Sequence, residues 1–177
     1  MVTQTRLTLE EFLALSGIDE QRLELIDGEV YEKVSPTWKH GVISGELYSL
    51  LREFGSPSVE PRAIIPAKGN LEGSSPVPDV AFYLPGRPTP PDWMRVAPDI
   101  AIEVLSPGQR LPDIRSKIDA YLSFGVREVW VIDPSQRSVD VFSGTARLRL
   151  TDADTLKSDL IPGLRIGLAD FFDRAGA

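Results

Sequence analysis

Acidic residues set among apolar neighbours are the feature of this sequence that points to chemistry. In the stretch Asp99 to Lys117, DIAIEVLSPGQRLPDIRSK, Glu103 interrupts the run Ile100, Ala101, Ile102, Val104 and Leu105. That run has no clean alternation, so both of its faces should be covered, as in the middle of a sheet. An ionised carboxylate there is costly unless a cation, a metal or strong hydrogen bonds compensate it. Asp79 opens a second apolar stretch, directly after Pro78, which cannot donate a ladder hydrogen bond and marks a strand edge or beginning. Lys117 falls beside Ile114 and Tyr121 on the helix after Glu103, where its long side chain could reach under the helix towards the sheet. Two carboxylates at neighbouring strand ends can hold a hard divalent cation such as Mg²⁺ or Mn²⁺. Such a cation polarises a phosphoryl oxygen and lowers the pKa of a bound water, and an adjacent ammonium orients that water and stabilises developing charge. Asp79, Glu103 and Lys117 together therefore suit phosphodiester hydrolysis. Taken singly they have plainer readings: a turn-associated aspartate, and a lysine that lays its stem on apolar surface with its charge in water.

The elements that would position these groups follow from pattern. Thr8 with Glu11 forms a capping box for a short helix that Gly17 stops. Arg22 to Lys33 reads as a β-hairpin turning at Asp27-Gly28, with Glu24 favoured as a solvated strand residue. Ser35-Pro36 is the expected start of a helix that carries Ile43, Leu47, Leu50 and Phe54 and ends at Gly55. His40 lies on the margin of its apolar face, as a packed, hydrogen-bonded residue or a possible accessory of the site. Strands are expected over Ser58 to Ile65 and Val77 to Leu84, separated by a turn from Gly69 to Ser75. Pro85 to Pro98 is an irregular, proline-rich excursion that Trp93 anchors. A helix over Leu111 to Phe124 follows the Glu103 strand. Strands over Glu128 to Asp133, Ser138 to Ser143 and Arg147 to Leu150 come next, and then a docking tail and a last helical turn from Leu168 to Phe172. This order describes an α/β fold with a mixed sheet, helices on its faces and an added antiparallel β region. The Glu103 strand, its helix and the Trp130 strand form a crossover unit. Active sites in such sheets gather at strand ends.

The bulk numbers narrow the classes. The 177 residues fit one domain spanning 1–177. No apolar run approaches membrane-spanning length, and Met1 to Leu15 lacks the layout of a signal peptide, so a cytoplasmic protein is expected. The absence of cysteine and the single histidine exclude disulfides and zinc sites built on thiolates or several imidazoles. A net charge of −7 weighs against non-specific polyanion binding without excluding a local basic patch.

The ordered series is more specific than any part of it. LELIDGE with Glu24, Pro78-Asp79-Val80, EVLSP with Glu103, DIRSK with Lys117, Tyr121 and GVREVWVIDP resemble the Uma family (the second of that name) of restriction-endonuclease-like proteins. The likeness runs from LTLEEFL to PGLRIGLADFF. That family is similar to the PD-(D/E)xK nucleases, whose core is a mixed sheet flanked by helices. The resemblance implies that Asp79 and Glu103 bind the metal, with Glu24 an additional acid beside it. Leu105 stands where those nucleases usually carry lysine, and Lys117, on the following helix, is implied as its replacement. Arg110 and Arg115 flank the same strand-to-helix turn as possible phosphate contacts. The expectation is a Mg²⁺-dependent endonuclease acting on DNA, paired as a homodimer. The alternatives are a non-catalytic interaction or regulatory module on the nuclease fold, and a glycosidase using the paired acids, which leaves Lys117 unexplained.

Overall fold

The computed structural model describes residues 6–69 and 71–176. Asn70, within the expected Gly69–Ser75 turn, and the first five residues of the Met1–Leu15 stretch lie outside the described residues.

Glycine, proline and the alternation of apolar residues set the local structure. Thr8 caps α1 (Leu9–Leu13) through the reciprocal bonds of a capping box with Glu11. The helix closes at Ala14, ahead of Gly17, and buries Phe12. Asp27 and Gly28 both adopt positive φ, 48° and 82°, as a type I′ turn requires. They join β1 (Leu23–Ile26) to β2 (Glu29–Glu32), with Glu24 directly across from Tyr31. Helix α2 (Trp38–Leu51) is capped by Thr37, whose hydroxyl accepts from the His40 amide, and not by Ser35. It ends at Arg52 rather than at Gly55. Gly55 has a different duty: a side chain there would collide with the Tyr83 carbonyl and the Phe82 ring.

A six-stranded mixed sheet forms the centre, in the order β3-β4-β5-β6-β7-β8. Its strands are β3 (Ser56–Val59), β4 (Val80–Tyr83), β5 (Ile100–Val104), β6 (Glu128–Asp133), β7 (Ser138–Ser143) and β8 (Ala146–Thr151). The expected strand over Ser58 to Ile65 is displaced: β3 starts earlier and stops at Val59, and Ala63 and Ile65 make only isolated bridges. Glu60 at φ 48° breaks the extended run. Strands β5 and β6 are parallel and joined by a 3₁₀ turn (Leu111–Ile114) leading into α3 (Arg115–Phe124); the other neighbours are antiparallel.

Each sheet face buries its own core, which explains the apolar runs without alternation. Val80, Phe82, Ile102, Val104, Trp130 and Ile132 pack against α2 through Ile43, Leu47 and Leu51. Ala81, Tyr83, Ala101, Val129 and Val131 pack on the other face against Ile114, Ile118 and Tyr121 of the α3 segment. The expected docking tail is an antiparallel pair, β9 (Thr155–Ser158) with β10 (Ile161–Gly167), followed by α4 (Leu168–Arg174). Its alternating Leu164, Ile166 and then Leu168 close the α2 side of the sheet. Trp93 packs with the small core around Phe12 and Leu25, and so fixes the proline-rich excursion to the body. Among the described residues no helix is long and apolar enough to cross a membrane.

Candidate active site

The alternation of β5 sends Ile102 and Val104 towards α2 and leaves Glu103 on the α3 side. Helix α3 follows on that side of the sheet, and its residues neutralise the carboxylate. Lys117, one turn from Ile114 and Tyr121, supplies the charge: its Nζ lies 2.8 Å from Glu103 Oε1. Tyr121, one turn further, donates its hydroxyl to the same oxygen at 2.6 Å. The hairpin covers the pair from outside and turns Glu24 inward, where its Oε1 is 3.0 Å from Lys117 Nζ and accepts from the Val77 amide at 2.6 Å. Lys117 is therefore not a surface lysine, and Glu24 is not solvated: their exposures are 9% and 5%.

Asp79 stands immediately before β4, its amide bonded to the Ile102 carbonyl at 2.9 Å. Its carboxylate bends across to β5, where Oδ2 accepts from the Val104 amide at 2.6 Å and from His40 Nε2 at 3.1 Å. Oδ1 is buried without a hydrogen-bond partner and faces the Lys33 ammonium as an ion pair at 2.7 Å. Glu24, Asp79, Glu103 and Lys117 line one cleft with His40, Lys33 and Tyr31. His40, at the start of α2, is the packed and hydrogen-bonded residue its position indicates, and its bond orients Asp79.

Electrostatics separate the two central acids. Burial opposes ionisation of Asp79, but the His40 hydrogen bond and the charges of Lys33 and Lys117 outweigh it and hold the carboxyl well below the usual range. For Glu103 burial dominates and raises the pKa, with Lys117 opposing and Asp79 and Glu24 adding like-charge repulsion. Burial works against the Lys117 charge, yet Glu103, Glu24 and Asp79 overcome it and push its pKa up. Lys117 stays charged, because Glu103 and Glu24 both contact its ammonium and Asp79 adds to their field.

The donor set is of hard oxygens, which suits Mg²⁺ held by one or two carboxylates with water and phosphate completing the shell. Asp79 Oδ1, buried with no hydrogen bond and only the Lys33 ion pair among the described residues, fits such an ion where the ammonium gives way to it. Among the described residues no three acidic or imidazole side chains gather into a ready cage, since Lys33 and Lys117 stand between the acids.

Arg110 and Arg115 do not line the cleft themselves, but their neighbours Gln109, Asp113 and Ser116 do. Arg115 is paired with Asp119 at 3.0 Å and lies over the Phe142 ring, while Arg110 is exposed at the 3₁₀ turn. Lys33 is the cleft residue that the sequence reading passed over. The hairpin register contained the signal, because Lys33 shares a face with Tyr31 and Glu24.

A mixed sheet flanked by helices, with a helix-borne lysine set against acids at adjoining strand ends, matches the architecture expected of a restriction-endonuclease-like protein. The model of the Uma2 family, described as "Putative restriction endonuclease", matches residues 9–169, and the chain belongs to that family. A crystal structure of "a putative nuclease belonging to DUF820" from Anabaena variabilis is similar at 25% sequence identity with a TM-score of 0.82. The similarity covers 96% of this chain and 99% of that one. No curated protein matches the sequence.

Proposed function

We propose that this chain is a metal-dependent endonuclease that hydrolyses DNA phosphodiester bonds, with Mg²⁺ or Mn²⁺ held by Asp79 and Glu103 and with Glu24 beside them. The observation that carries the reading is the reach of Lys117 from α3 to Glu103, which makes good the lysine missing at Leu105. When bound, the divalent cation supplies polarisation of a phosphoryl oxygen and a water of lowered pKa. His40 and the Val104 amide fix the Asp79 carboxylate, and Tyr121 fixes that of Glu103, so neither acid needs to reorganise during turnover. The Lys117 ammonium orients the attacking water and offsets charge on the phosphate oxygens. Cutting both strands would take two copies of the cleft, which a homodimer provides.

The test is cleavage of plasmid, single-stranded and branched DNA in Mg²⁺ and in Mn²⁺. Metal-dependent nicking is expected, lowered about 10²-fold or more by Asp79→Asn or Glu103→Gln with an unchanged circular-dichroism spectrum. Folded wild-type protein that cuts none of these substrates with either metal would sink the proposal. It would favour the non-catalytic module instead, a reading that draws on Lys33 and Lys117 already pairing the acids.

A further inference from the structure

Lys33 differs from Lys117 in how it is held. Lys117 is fixed from two sides by Glu24 and Glu103. Lys33 follows β2 directly and sends a flexible stem between two carboxylates of unequal surroundings. Its Nζ is 2.7 Å from Asp79 Oδ1, 3.4 Å from Glu60 Oε1, and donates to the Val77 carbonyl at 2.9 Å. Its hydrogen bond is to the Val77 carbonyl, and both carboxylates are ion-pair partners within reach of the same ammonium. Lys33 also lies on the boundary between the catalytic cleft and a second groove lined by Ser58, Glu60, Val77 and Trp93, which gives the side chain room to swing. Glu60 is anchored for that purpose, its Oε1 2.7 Å from Arg22 Nη2.

We propose that Lys33 is a two-position counter-ion: it neutralises Asp79 in the metal-free protein and moves to Glu60 when a divalent cation takes the carboxylate. The inference rests on the metal-dependent reading of the site but is tested without nucleic acid or turnover. Lys33 is then a positioning residue that tunes metal affinity. An ammonium on Asp79 prevents an uncompensated buried charge while the ion is absent, and its departure is a cost that every binding event bears. Glu60 lowers that cost by receiving the ammonium.

Mn²⁺ binding to the purified full chain, followed by electron paramagnetic resonance, tests this with single and double variants. Lys33→Met is expected to tighten Mn²⁺ binding about tenfold, and Glu60→Gln to weaken it by a similar factor. In the Lys33→Met background the Glu60→Gln change should have almost no effect, because the charge that Glu60 receives is gone. Asp79→Asn should abolish binding in both backgrounds. Equal Glu60→Gln effects with and without Lys33 would mean two independent field effects, and would overturn the exchange. So would unchanged or absent Mn²⁺ binding in Lys33→Met. Should Lys33→Met not fold, Lys33→Gln keeps a donor for the Val77 carbonyl while removing the charge, and the same cycle is read with it. Protein that shows the coupling but cuts no DNA would overturn the nuclease reading alone.

Discussion

Tyr83 shows how a single side chain in this sheet carries a pH dependence. It lies on the face of β4 opposite Phe82, and its hydroxyl donates to the Val96 carbonyl at 2.7 Å, tying the proline-rich excursion to the strand. Burial is the main cause that pushes the phenol up to about 12; the Asp99 charge adds to it and Arg87 opposes it. In the unfolded chain a tyrosine releases its proton near about pH 10. Between those values the unfolded state holds fewer protons than the folded one, so stability falls as pH rises. Denaturant midpoints measured from pH 9 to 12 should decline more steeply for wild type than for Tyr83→Phe. Parallel slopes would show that the phenol titrates alike in both states.

At the scale of elements, the β1–β2 hairpin depends on a residue it does not contain. Arg62, from the segment after β3, donates to the Leu23 carbonyl at 3.0 Å, to the Ser75 carbonyl at 3.2 Å and to Asp19 at 2.9 Å. Its guanidinium also lies over the Phe12 ring at 5.7 Å. Arg62→Ala removes a buried cation, takes its donor from the Leu23 carbonyl and leaves the Ser75 carbonyl only the long bond from the Leu25 amide, a loss of about 3 kcal/mol. Denaturant unfolding checks the magnitude. Hydrogen exchange should show lost protection concentrated in Leu23 to Lys33, and uniform loss would refute the stapling role. What the sequence could disclose of this hairpin was local. The Asp27-Gly28 turn declares itself through backbone sterics, and the register follows from it. The burial of Glu24 did not, because alternation assigns a residue to a face without saying what covers that face. The cover is α3, and no feature near Glu24 announces it. Similarly, the capping box of α1 was legible whereas the start of α2 was not, since Ser35-Pro36 and Thr37 offer competing caps within three residues.

Across the whole molecule, the placement of apolar residues was readable where both sheet faces are covered, as in β5 and β6. The final β9–β10 pair was harder, because Pro162 and Gly163 interrupt its pattern and its register shifts between Ile161 and Ile166. The cleft itself joins distant parts of the chain. Lys117 and Glu24 are 93 positions apart, and His40 and Asp79 are 39 apart. That separation has a consequence for the order in which the protein assembles. Loop closure must be met before such contacts return any free energy, so hairpins and helices form first and the acidic cleft closes late. Late contacts govern how fast a native state comes apart rather than how fast it forms. Lys117→Met should therefore speed unfolding in stopped-flow measurements while leaving the refolding rate nearly unchanged. Slowed refolding would instead place the Glu24–Lys117 contact in the folding nucleus. On this account the polypeptide spends most of its folding time without its acidic centre, and the act of bringing that centre together is also the last lock on the native state.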